Sequence, residues 1–198
     1  MAFRYKDEEV QSVHGLRMSK EAFEQLVDVG SSYRYEMIDG IVYNMAHPSI
    51  EHNDIVDNII ADLKQQLGKT GPCRAYREQR VAIPGKPSVE PDIVVSCNLD
   101  DWDKKRRNKK HPRIDSPLIV IEVLSPSTEP YDRAEKFARY QLCPTLEVYI
   151  LVSQDERQVE VYRKEAHWKL ETFSASQTIH LDQLDLELSL DEVYDGVL

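Results

Sequence analysis

The chain has 198 residues, 41% hydrophobic and 30% charged, a length and balance that fit one globular domain with a sizeable core. Its formal net charge of −10 argues against any general attraction to a polyanion. No apolar run approaches membrane-spanning length, and the N-terminal MAFRYKDEEVQSVHG lacks the hydrophobic stretch of an export signal, so a cytoplasmic protein is expected.

Residues 1–17 are polar and aperiodic and read as an N-terminal arm, leaving 18–198 as a single domain. MSKEAFEQLVDV predicts a short helix with Phe23, Leu26 and Val27 on one side. Tyr33–Ile38 and Ile41–Met45 flank Asp39-Gly40, a dipeptide that tolerates the positive φ angles of a two-residue hairpin turn. Ser49 is placed to cap a long helix carrying Ile55, Val56, Ile59, Ile60, Leu63 and Leu67 at helical spacing, with Gly68 as its stop. Strands are expected over 74–83 and 89–96. The three cysteines, Cys73, Cys97 and Cys143, are far apart and in no CxxC spacing, and read as reduced thiols.

The segment Lys104–Arg113 holds seven Lys or Arg and no acid, which leaves 18 basic residues against 35 acidic elsewhere, a formal −17. It reads either as a solvated charge run, with Asp100, Asp101 and Asp103 beside it, or as a grip on a phosphate backbone through Lys104, Lys105, Arg106, Arg107, Lys109 and Lys110. Beyond it, PLIVIEVL (117–124) has the continuous apolar character of a strand buried on both faces. A turn, a helix over 130–142 and a further apolar strand over 146–152 imply a crossover between parallel neighbours. Strands at 158–163, 168–173 and 184–190 complete a mixed α/β sheet with helices on both faces.

Two acids stand out by their surroundings. Asp92 opens a Val/Ile-rich strand and Glu122 lies inside PLIVIEVL. A carboxylate in such a strand is costly to bury unless paired, hydrogen-bonded or bound to a cation. Two on neighbouring strands would repel unless a cation lay between them, and hard oxygen donors suit Mg²⁺ or Mn²⁺.

Pro91-Asp92, followed after about thirty residues by Glu122-Val123-Leu124, resembles the motif of the PD-(D/E)XK, or restriction-endonuclease-like, superfamily. The likeness is nearer still to its Uma2 (DUF820) branch. YEMIDGIVYNMAHPSIEHNDIV, VEPDIVV and PLIVIEVLSPSTEPYDRAEKFARYQ carry it, from about Met18 to Arg163. The resemblance implies a restriction-endonuclease-like mixed sheet flanked by helices, and metal-assisted hydrolysis of DNA phosphodiesters. Asp92 and Glu122 would be the metal ligands, with Mg²⁺ or Mn²⁺ as the cofactor. The motif's lysine, two residues after the acid, is replaced by Leu124. The resemblance implies a lysine on the following helix instead, and Lys136 is the candidate, sharing a face with Asp132 and Tyr140; Asp132 and Lys136 alone would read as a surface i,i+4 pair. Glu36, in the first hairpin strand, would be a third carboxylate. His52, in the first turn of the long helix, reads either as a site histidine able to exchange protons near neutrality or as a solvated helix-start residue.

A second class of function stays open beside the nuclease: a non-catalytic DNA- or protein-binding module that keeps the fold. A third is hydrolysis of a small phosphorylated molecule. DNA and a second copy of the chain, in a homodimer, are the expected partners, since enzymes that cut both strands are commonly two-fold.

Overall fold

The computed structural model describes residues 15–28, 35–38, 40–44, 48–68, 71–103, 112–126 and 128–198. α1 (Lys20–Asp28) buries Phe23 and half-buries Leu26 and Val27. The hairpin follows as β1 (Tyr35–Ile38) and β2 (Ile41–Asn44), paired antiparallel with Ile38 opposite Ile41. Gly40 takes φ 77° at the turn, in the left-handed region where a Cβ would be strained. The end of the expected arm lies alongside: the Val42 N–H donates to the Leu16 carbonyl and the Met18 N–H to Gly40.

α2 (Ile50–Leu67) begins where Ser49 accepts a hydrogen bond from the His52 N–H and ends at Gly68, φ 64°. Its buried stripe of Ile55, Val56, Ile59, Ile60 and Leu63 packs on one face of the main sheet. Truncating a fully buried residue such as Leu63 to alanine costs about 2–5 kcal/mol.

That sheet has six strands in the order β3-β4-β5-β6-β7-β8. They are β3 (Arg74–Arg77), β4 (Ile93–Ser96), β5 (Ile119–Leu124), β6 (Val148–Ser153), β7 (Gln158–Arg163) and β8 (Leu170–Ser174). β5 and β6 run parallel, and the other neighbours are antiparallel. The segment expected as one strand over 74–83 breaks after Arg77, because Glu78 turns the chain at φ 48°. A short helix, α3 (Leu99–Trp102), follows β4. There Asp101, expected beside a solvated charge run, is turned inward. It is buried, and its carboxylate accepts from the Ser96 hydroxyl and from the N–H groups of Asp115 and Ser116.

The second covering helix, α4, starts as Glu129–Tyr131, passes through a π-helical turn at Asp132–Lys136, and ends as Phe137–Tyr140. The Tyr149 hydroxyl, from β6, donates to the Asp132 carbonyl within that turn. β9 (Thr178–Leu181) and β10 (Leu186–Ser189) form a separate antiparallel pair, leading into α5 (Leu190–Val193). β9 and α5 were not expected from the pattern.

Alternation along β5 explains the two-sided core. Ile119, Ile121 and Val123 meet α2, whereas Val120 and Leu124 join Tyr140, Tyr149 and Leu151 in a second apolar cluster on the α4 side. Glu122 shares the parity of the second set and so points toward α4.

The expectation of three reduced thiols is overturned. β3 and β4 pair Arg74 with Ser96, so the next rung outward sets Cys73 against Cys97, and the two form a disulfide across 24 residues. Strand pairing removes the separation that sequence distance suggested. Cys143 is the free cysteine, and it is buried.

Candidate active site

The β4–β5 ladder pairs Ile93 with Ile121, so the next rung sets Asp92 directly opposite Glu122. Side chains take over from backbone there. The Asp92 N–H donates to Glu122 Oε2 at 3.2 Å, and the Val123 N–H donates to Asp92 Oδ2 at 2.8 Å. Like charges facing each other across a ladder destabilise a sheet, so something must compensate.

Lys136 is part of that compensation. From the π-helical turn its Nζ reaches Glu122 Oε2 at 2.9 Å, Asp132 Oδ1 at 3.3 Å and Glu36 Oε1 at 4.0 Å. Glu36 comes from the hairpin and accepts from the Tyr131 hydroxyl at 3.3 Å and the Glu90 N–H at 3.4 Å. The Tyr140 hydroxyl donates to Glu122 Oε1 at 3.1 Å. Burial, and after it the Glu122 charge, pushes the Tyr140 phenol well above its ordinary range, so it remains a neutral donor. Tyr131 is raised in the same way, by burial first and then by Glu36.

His52 faces Asp92, with Nε2 3.3 Å from Oδ2, and is buried rather than solvated at the helix start. Its Nδ1 is buried with no hydrogen-bond partner among the described residues. Asp132 and Lys136 are each only 3% exposed, so their pairing is internal and not the surface pair the spacing alone suggests. Leu124, standing where the motif has lysine, is buried in the α4-side cluster. Lys104, Lys105, Arg106, Arg107, Lys109 and Lys110 lie outside the described residues.

The five catalytic candidates from the sequence, Glu36, His52, Asp92, Glu122 and Lys136, therefore meet in one buried cluster, and Asp132 and Tyr140 join it. Counting Glu36, Asp92, Glu122 and Asp132 against Lys136 leaves a formal −3 in a site where none of the five is more than 4% exposed. That donor set of hard carboxylate oxygens fits a small divalent cation. Among the described residues no group of three or more His, Cys, Asp or Glu is arranged to hold a metal ion.

Sequence reading missed a second charged group on the same sheet face. Glu160 of β7 lies in the cross-strand row of Glu122 and Leu151. Arg133 pairs with it and with Glu129, one residue along α4 from Asp132. A cleft of about 240 Å³ opens beside this pair, lined by Leu124, Glu129, Arg133, Asp155 and Glu156 among others. Its acids outnumber Arg133, so it gives no support to the small phosphorylated substrate.

The family model for Uma2, described as "Putative restriction endonuclease", matches residues 20–191. The chain belongs to the Uma2 family. Two relatives in Synechocystis sp. accompany this Uma2 protein, both described as uncharacterized. Slr1290 is 30% identical over 168 residues, 83% of this chain and 85% of its own. Sll1609 is 28% identical over 130 residues, 65% of this chain and 71% of its own. A crystal structure described as "a putative nuclease belonging to DUF820", from Anabaena variabilis, covers 91% of the Uma2 chain and 99% of its own, with a TM-score of 0.74 and 21% identity. At that identity the likeness establishes the fold: a mixed sheet flanked by helices.

Proposed function

We propose that the protein is a metal-dependent nuclease of restriction type that hydrolyses DNA phosphodiester bonds. The observation that carries this reading is the meeting of Asp92 and Glu122, opposite each other on adjacent strands, with Lys136 delivered from the next helix. Asp92 and Glu122 would hold Mg²⁺ or Mn²⁺. Such an ion supplies an activated water and neutralises charge developing on the phosphate. Lys136 stabilises that charge electrostatically. Tyr140 fixes the orientation of Glu122, His52 orients Asp92 from the start of α2, and Glu36 offers the ammonium a further acceptor. The basic segment at 104–113 grips the DNA backbone, and the protein works as a homodimer.

The depth of burial favours a second reading, a non-catalytic DNA- or protein-binding module. The deciding experiment titrates Mg²⁺ and Mn²⁺ by calorimetry into the wild type and an Asp92→Asn, Glu122→Gln variant, with plasmid nicking assayed on both. The nuclease reading expects binding and nicking by the wild type and neither by the variant. Metal binding without nicking redirects the search to another substrate, and no binding by the wild type leaves the binding module. Light scattering on the same samples tests the dimer; a monomer mass at working concentration removes it.

A further inference from the structure

Lys136 already occupies an oxygen of Glu122, one of the two carboxylates that would hold a metal. Nζ is 2.9 Å from Glu122 Oε2, and the pair is almost wholly buried. An ammonium and a divalent cation cannot share one carboxylate oxygen in a buried site without strong repulsion. The ammonium therefore needs another acceptor within a short swing of its side chain. Two are at hand: Asp132 Oδ1 at 3.3 Å and Glu36 Oε1 at 4.0 Å. Asp132 is the nearer, and it rides on the same π-helical turn as Lys136, with its carbonyl held by the Tyr149 hydroxyl.

We infer that Lys136 occupies the cation's place on Glu122 in the metal-free protein, and that Asp132 is the positioning residue that receives its ammonium when metal binds. The inference rests on the metal-site reading above and adds to it a coupling between lysine and metal. Lys136 keeps the metal-free acids compensated. Asp132 lowers the cost of displacing it and leaves the ammonium close to Glu122. A π-helical turn is a frequent companion of functional sites, and here it carries both residues of the exchange.

The test is a calorimetric cycle with Mn²⁺ alone on the wild type, Lys136→Gln, Asp132→Asn and the double variant. Lys136→Met serves as a second lysine variant should the glutamine protein fail to fold. Removing the ammonium removes the competitor, so both lysine variants should bind Mn²⁺ at least about tenfold more tightly, a small part of the repulsion expected at such distances. Asp132→Asn in the wild-type background should weaken binding by about tenfold, by taking away the acceptor for the displaced ammonium. In the Lys136→Gln background the same change should have little effect, because no ammonium remains to be received.

Unchanged or weaker binding in both lysine variants would falsify the exchange. So would an equal loss from Asp132→Asn in both backgrounds, which would make Asp132 a direct ligand or a support of the helix. Those outcomes leave the metal site standing. Absence of Mn²⁺ heat in all of the proteins overturns the metal site itself, and the exchange with it.

Discussion

Glu122 has both oxygens held by named donors: Oε1 by the Tyr140 hydroxyl, Oε2 by Lys136 and the Asp92 N–H. Tyr140→Phe deletes one donor with little change of shape and leaves a buried carboxylate oxygen short of a bond. The expected loss is about 1–3 kcal/mol, read as a lower urea midpoint at unchanged m-value. If Tyr140 also orients Glu122 as proposed, plasmid nicking should fall more than the lost stability explains. A variant as stable and as active as the wild type would remove Tyr140 from the site. At this scale the residue types and their surroundings made Asp92 and Glu122 legible, and the family resemblance added Lys136. Asp132 was ambiguous, because a helical i,i+4 pair looks alike on a surface and in a core. Glu160 and Arg133 were invisible, since their pairing spans 27 residues and depends on the sheet order.

The long elements followed from local signals. Ser49 does cap α2, and its hydroxyl accepts the His52 N–H that begins the turn facing Asp92. Ser49→Ala should cost about 1 kcal/mol of stability, measured by chemical denaturation; an unchanged midpoint would mean the cap is redundant. PLIVIEVL became the fully buried β5, parallel to β6, because a strand covered on both faces has no polar side to show. Besides β9 and α5, two features escaped. The π-helical turn leaves no mark in a periodicity count, since one widened turn shifts the phase by a single residue. The break at Glu78 was hidden because a positive φ there falls on a residue that gives no glycine signal.

For the molecule as a whole, the disulfide gives the most direct test. Denatured without reductant, the protein should titrate one thiol, Cys143; after reduction, three. Three thiols without reductant would abolish the Cys73–Cys97 bond. In the native protein Cys143 should react slowly near pH 8, because burial pushes its thiol up to about 11 and little thiolate is present. The sign for stability follows. A folded value above the ordinary thiol value of 9.0 favours the native state below that pH, and the advantage fades as pH climbs toward 11. The buried phenols of Tyr140 and Tyr149, raised by burial first, act in the same direction. Sequence distance concealed the disulfide for the reason that it concealed Glu160: contact was decided by strand pairing.

The same pairing bears on the interval between the two acids. Asp92 meets Glu122 because each lies one rung beyond the Ile93–Ile121 pair, and nothing in that placement depends on the length of chain between β4 and β5. The interval that made the motif recognisable is thus a neutral spacer to the chemistry. The connection from β4 to β5 could differ in length while the register keeps the carboxylates opposite each other. A single residue inserted between Asp92 and Ile93, by contrast, would change that acid's parity relative to the Ile93–Ile121 rung and turn it to the opposite face. The register that sets the two acids face to face and the length of the connection between their strands are in this way separately variable parts of one chain.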